Sequence, residues 1–336
     1  MPPAGAYRVS MTAATEVEPG SGGKSRRVMP SRPVLVGFAL AIVYVVWGST
    51  YLGIRIMVED MPPMIAAGGR FLCAAIILGL ILMARGGLAR LRLSRAEVLS
   101  CALIGLLLPV LGQGLVTIAE SGGAPSGLVA LLIAAVPLWV LLYRVLAGER
   151  PKRTTALGVL IGFIGLAVLL IGNGVGGDFP FWAVALVVFS AASWAFGSWL
   201  QPRLKMPRDA FVAAVYEMAI GGALLLVVGL AWGERFAPAE YSARSWTAWA
   251  YLVVFGSVVA FSAYVWLLQA ANISLVATYA YVNPLVAVVL GWLVLSEAVT
   301  APIVAGGTIV IAAVVLVVST ERPQRKQSIA KEPDHG

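Results

Sequence analysis

Residues 273–300 read ISLVATYAYVNPLVAVVLGWLVLSEAVT. About 20 apolar residues in a helix span a hydrocarbon core of about 30 Å, and this run is long enough. Its middle nevertheless carries Tyr279, Tyr281, Asn283 and Pro284. A proline inside a helix deletes one backbone hydrogen bond and crowds the preceding turn, so a bend with freed carbonyls is expected there. In lipid, such groups need a partner or a water-lined cavity. A weaker copy of the stretch surrounds Pro137, which makes a second bend expected near the middle of that segment.

Composition sets the frame for this reading. The 336 residues are 60% apolar and 12% charged, with a mean hydropathy of +0.90, which is a membrane protein and not a soluble domain. The net charge of +8 does not indicate nucleic-acid binding, because the charges lie in short connections and tails between apolar blocks. Cys73 and Cys101 both fall inside apolar blocks and read as packing residues. The one histidine is His335 in the C-terminal tail, so no histidine metal site or Ser/His or Cys/His nucleophile pair is expected within the membrane. A phosphate-binding loop of the Gly-rich, Lys-Ser/Thr type is absent, which argues against ATP hydrolysis by this chain. No cofactor is expected.

Residues 1–33 are rich in Pro, Gly, Ser and charge and read as a disordered tail. A cleaved signal peptide is the alternative, but the following apolar block is too long and shows no small-residue cleavage pattern. Ten spans are expected: 34–57, 64–83, 96–118, 127–146, 154–172, 180–200, 210–232, 246–268, 276–295 and 301–318. Residues 319–336 form a second tail. The short connections suggest that consecutive helices are antiparallel neighbours. With the N-terminus in the cytoplasm, twenty of the 24 Lys and Arg residues fall on that side, so both termini are expected inside.

A shift of 147 residues lays Trp47 on Trp194, Arg70 on Glu217, Leu128 on Leu275, Ala130 on Ala277 and Pro137 on Pro284. One inserted residue later, Glu149 meets Glu297. The register sends span one to span six, two to seven and four to nine. Five is odd, so the two halves, 34–172 and 180–318, would lie inverted in the membrane. Inverted repeats are a transporter feature, with the solute site near the midplane where the halves meet. The fold class expected is therefore an all-α polytopic bundle of two inverted five-helix repeats.

The pieces VWGSTYLGIR (46–55), GGRFL (68–72), SWAFGS (193–198) and YAYVNPLVAVVLGWLVLSEAVT (279–300) resemble the EamA-type permeases of the drug/metabolite transporter superfamily. The resemblance covers about 34–320. It implies a bacterial inner-membrane permease in two five-helix units with both ends cytoplasmic, often an exporter of amino acids, related metabolites or toxic compounds. The expected partners are the lipid bilayer and a small-molecule solute, with the solute's own gradient or an exchanged proton as the driving force.

Several side chains are candidates for the transport path. Pro137 and Pro284 would flank a central cavity, with Asn283 offering its amide to a solute; the structural alternative is a packing kink with Asn283 satisfied by a neighbouring helix. Arg70 and Glu217 are charges at membrane depth, each costing on the order of 3 kcal/mol on the lenient insertion scale, so both should face the bundle interior. Arg70 would hold an anionic group and Glu217 would carry a proton, or both would serve as packing glue on opposite sides of the midplane. Tyr44, Trp47, Tyr51 and Arg55 share one helix face; Gln113, Thr117 and Glu120, Trp194 and Ser198, and Tyr279 and Asn283 share others. Such faces line a path or pack an interface. The function expected is secondary transport of a small solute by alternating access. An intramembrane enzyme and a non-transporting sensor or assembly partner are the alternatives, and neither has a supporting motif. Residue spacing leaves the solute, the coupling stoichiometry and the oligomeric state undefined.

Overall fold

The computed structural model describes residues 32–123, 129, 132–171, 181–295 and 301–320. Both tails apart from Arg32, Pro33, Ser319 and Thr320 lie outside the described residues, as do Leu128, Ala130 and Glu297 of the repeat. Among the described residues all regular structure is helical. The main elements are α1 (Arg32–Met57), α2 (Pro63–Gly86), α3 (Arg95–Ser121), α4 (Val136–Leu146) and α5 (Arg153–Ile171). They continue with α6 (Phe181–Leu200), α7 (Ala210–Ala231), α8 (Ala243–Ala270), α9 (Tyr279–Leu295) and α10 (Ala301–Thr320). Six of these, α1, α2, α3, α6, α7 and α8, are long and apolar enough to cross a membrane within the described residues.

The most extensive packing runs between the first half of the chain and the second. α2 lies along α7, α5 along α10, α1 along α9 and α4 along α6. α3 packs on α6 and α7, and α8 packs on α1 and α2. Consecutive helices such as α1 and α2 are therefore not the principal partners that short connections suggested. Small residues explain the α2–α7 seam. A Cβ on Gly68 would stand 2.8 Å from the Gly222 carbonyl, and one on Gly222 would stand 2.8 Å from the Gly68 carbonyl. Close backbone approach of this kind is how helices gain contact where hydrophobic burial gives no advantage.

α3 and α8 each contain a π-helical segment, Leu106–Gly114 and Leu252–Phe261, where the backbone is wound more widely than in an α-helix. The two segments sit at nearly the same place under the 147-residue shift. Pro109 lies inside the first and gives a local cause for it.

Polar contacts tie the two ends of the bundle. At the end carrying the start of α1, Arg90 pairs with Asp209 at 2.6 Å and Arg144 with Glu149 at 2.8 Å, and Arg203 also reaches Glu149. Burial raises the Glu149 carboxyl, but hydrogen bonds from Arg144 and Trp199 and the charges of Arg203 and Arg144 outweigh it and hold the group below its ordinary range. At the far end, the Glu234 carboxylate accepts from the backbone N–H groups of Met64 (3.1 Å) and Ile65 (2.8 Å) at the start of α2. Asp60 accepts from the Ser242 N–H (3.0 Å) and the Ser245 hydroxyl (2.8 Å) at the start of α8. Both are anions on the exposed donors of a helix N-terminus.

Candidate functional site

The centre of the bundle is a cluster of rings contributed by four helices. Trp47 of α1 and Trp194 of α6 meet edge to face with centroids 5.4 Å apart. Tyr264 of α8 and Tyr279 of α9 lie 4.9 and 5.1 Å from the Trp47 ring. All four side chains are buried, and the donors of the two tryptophans are satisfied. Trp47 Nε1 donates to the Gly256 carbonyl at 3.1 Å. Trp194 Nε1 donates to the Tyr264 hydroxyl at 2.9 Å, which also shares a hydrogen bond with Ser198 at 2.6 Å. Ser190 of α6 donates to the Gly112 carbonyl at 2.7 Å. Gly112 and Gly256 belong to the two π-helical segments, whose disturbed ladders leave carbonyls for outside donors. α1 thus supplies a donor to the segment in α8, and α6 one to the segment in α3.

Asn283 is 1% exposed and knits α9 to α1. Its amide nitrogen donates to the carbonyls of Tyr279 at 3.0 Å and Tyr44 at 3.3 Å, and its side chain bonds the Tyr51 hydroxyl. Around it lies a cavity of about 20 Å³. The walls are Trp47, Thr50, Tyr51 and Ile54 of α1, Gly112, Gln113 and Val116 of α3, Ile133 just before α4, Ser190 and Trp194 of α6, and Tyr279 and Asn283 of α9. That volume admits one water molecule. A metabolite needs a site of roughly 300 Å³ or more, so this arrangement is contracted around its centre.

Six residues expected from the sequence, Trp47, Tyr51, Gln113, Trp194, Tyr279 and Asn283, line this one cavity. Arg70 stands one contact behind it. Its guanidinium, 3% exposed, donates through Nε to Ser257 at 2.9 Å and through Nη2 to Gln113 at 3.4 Å, and lies 4.5 Å from the Phe71 ring centre. Those partners are all neutral. Glu217 is also buried but sits away from the cavity wall, where Oε1 accepts from Gln201 Nε2 at 2.9 Å. Arg70 and Glu217 form no ion pair with each other.

The prolines differ from expectation in one respect. Pro284 lies inside α9, as the sequence suggested. Pro137 does not lie mid-helix: it occupies the first turn of α4, where its missing N–H breaks no helical bond. The chain bends just ahead of it, at residues 134–135. Neither proline lines the cavity; Pro284 holds its place next to Asn283, which does.

Several participants escaped the sequence reading. Ser257 and Tyr264 are single polar residues in a strongly apolar span, and Gln201 follows α6 at what looked like a connection. Glu120 had a signal, its spacing from Gln113 and Thr117, although it falls just past the expected span 96–118. It is fully buried.

Residues 35–171 and 181–319 each match the EamA-like transporter family. The chain belongs to that family. Among its relatives is the uncharacterized inner membrane transporter YedA of Escherichia coli (strain K12), 41% identical over 254 residues, covering 75% of this chain and 80% of the relative. The uncharacterized transporter YvbV of Bacillus subtilis (strain 168) is 27% identical over 291 residues, covering 86% of this chain and 93% of that one. A probable amino-acid metabolite efflux pump of Salmonella typhimurium (strain LT2) is 28% identical over 189 residues, 55% of this chain and 60% of that protein. A crystal structure of an 18% identical protein superposes with a TM-score of 0.70 over 87% of this chain and 98% of its own, a likeness of fold alone. The EamA-like matches leave out only the two ends of the chain and a short stretch between the halves.

Proposed function

We propose that this EamA-like protein is a secondary transporter of the bacterial inner membrane that exports a small carboxylate-bearing solute of the amino-acid kind. The observation that carries the reading is the convergence of rings, amides and hydroxyls from α1, α3, α6 and α9 on one buried cavity, with the Arg70 guanidinium behind Gln113. The rings offer stacking and cation–π surface to an ammonium group. Asn283 and Gln113 offer hydrogen bonds, and Arg70 offers charge to a carboxylate. The Salmonella relative's name points toward the same solute class.

In this reading the chain has ten spans in two inverted five-helix halves, 34–172 and 180–318, with cytoplasmic tails at 1–33 and 319–336. The pairing of helices supports it. An exchange of halves turns the α2–α7 and α5–α10 contacts into themselves, α1–α9 into α4–α6, and α3–α6 into α1–α8. The end of the bundle bearing Arg90, Arg144 and Arg203 is then the cytoplasmic one. Transport would proceed by rocking the halves about the ring cluster, widening the cavity toward one face at a time. Glu217, buried on the cytoplasmic side, is the proton carrier in this scheme.

The test is counterflow in proteoliposomes preloaded with amino acids and related carboxylates. Labelled solute should accumulate against empty-vesicle controls, and Asn283→Ala should abolish the signal. A panel of such solutes giving no counterflow by the folded protein would reject the proposal.

A further inference from the structure

Glu120 has no role in the scheme so far. It lies one turn beyond Val116 along α3, on the far side of the cavity from the α1 start, and is 0% exposed. Neither carboxylate oxygen has a hydrogen-bond partner among the described residues. An ionised carboxylate without partners is among the least tolerable groups in a protein interior, whereas a protonated one is far easier to bury. A guanidinium stands within reach. Arg55 of α1, an exposed residue, donates from Nη1 to the Glu120 backbone carbonyl at 2.9 Å and so bypasses the carboxylate.

Three elements pack against this end of α3. α1 brings Tyr51, which interacts electrostatically with Glu120 and bonds Asn283. The charged residue of α2 at membrane depth, Arg70, is engaged by Ser257 and Gln113. α6 carries no charged residue at all. Tyr51 itself stands on the cavity wall, so the charge state of Glu120 is felt there without a direct bond.

We propose that Glu120 is a second proton-binding site, which closes the far side of the cavity when protonated and releases it when ionised and paired with Arg55. In the contracted arrangement the carboxyl is neutral and sealed in. When the far side opens, it gives its proton to water, the guanidinium swings from the backbone carbonyl to the carboxylate, and Tyr51 is drawn off Asn283. This rests on the cavity being the transport path, and it adds a proton gate on the face opposite Glu217.

The experiment reads opening and not transport. Thr50, a buried cavity residue, is replaced by Cys in a chain with Cys73→Ser and Cys101→Ala, and a charged methanethiosulfonate reagent is applied to sealed vesicles of either orientation. One linked proton changes the open-to-closed ratio by up to about tenfold per pH unit, so reagent access from the far face should rise at that rate with pH. Glu120→Gln should make access low and leave it to rise with pH only as the introduced thiol ionises, and Glu120→Asp should keep the additional pH dependence. Arg55→Gln should move the rise to higher pH. Undiminished pH dependence in Glu120→Gln, or an unshifted curve in Arg55→Gln, would overturn the proposal. If solute counterflow fails while access still follows Glu120, the substrate reading falls and the gate stands.

Discussion

Trp47 and Trp194 stand 147 positions apart in the chain and touch edge to face, 5.4 Å between centroids. Two residues at equivalent places in two repeats can meet only where the repeats themselves meet. The contact thus marks the junction on which the cavity is built, and each ring leans on a partner from the opposite half. Trp194→Ala should lower stability by about 3–5 kcal/mol through the emptied volume. Trp194→Phe keeps a ring but strips the donor to Tyr264, which has Ser198 as a second partner, so a loss of only about 1 kcal/mol is expected. Thermal unfolding of the purified protein in detergent would rank the two; equal losses would contradict the packing argument.

Solute recognition and structure can be separated at Arg70. All of its partners are neutral, so Arg70→Met removes a charge without stranding a buried anion. Affinity for carboxylate-bearing solutes should fall by about 10- to 100-fold, the scale of one charge-assisted hydrogen bond. Uncharged analogues should bind as before. Competition assays against labelled solute would show this split, and a uniform loss for both classes would make Arg70 a packing residue.

The crossing of α2 and α7 is a steric prediction. Gly222→Ala forces a methyl to within 2.8 Å of the Gly68 carbonyl, and overpacking of this kind costs about 1–3 kcal/mol. Gly37→Ala in α1 meets nothing within 4 Å and should leave the unfolding temperature essentially unchanged. Measured side by side, the first variant should melt several degrees lower than the second.

The pH behaviour of the charged end follows from Glu149. Its folded-state pKa is depressed, so its contribution is present above the ordinary carboxylate value of about 4.3 and is lost as pH falls through the lower folded value. The gap in melting temperature between the native chain and Glu149→Gln should therefore be constant from pH 8 to about pH 5 and shrink only below about pH 4. Any transport titration between pH 5 and 8 belongs to other groups. A gap that closed near neutrality would show that Glu149 is not held by Arg144 and Arg203.

Sequence made some of this legible because membrane depth makes polarity costly. Trp47, Tyr51, Gln113, Trp194, Tyr279 and Asn283 stand out in apolar helices at helical spacing, and they do converge. Glu217 stood out equally, yet it bonds Gln201 and stays off the wall, since hydropathy reports depth and not azimuth. Pro137 looked like a mid-helix residue because the apolar run continues on both sides of it, whereas the helix begins there. The π-helical segments had only Pro109 as a trace, and α8 lacks even that. Glu120 was ambiguous because a carboxylate near a helix end is usually solvated, and burial by neighbouring helices leaves no mark in the local sequence.

The two carboxylates at the far end reach in opposite directions. Glu234, from the second half, holds the start of α2 in the first, and Asp60, from the first half, holds the start of α8 in the second. They act as crossed bolts. Neither half can tilt away at that end without withdrawing its own bolt and losing the other's, so separation there would be a single concerted event whose threshold is set by two short polar grips and not by the greasy seam beneath them.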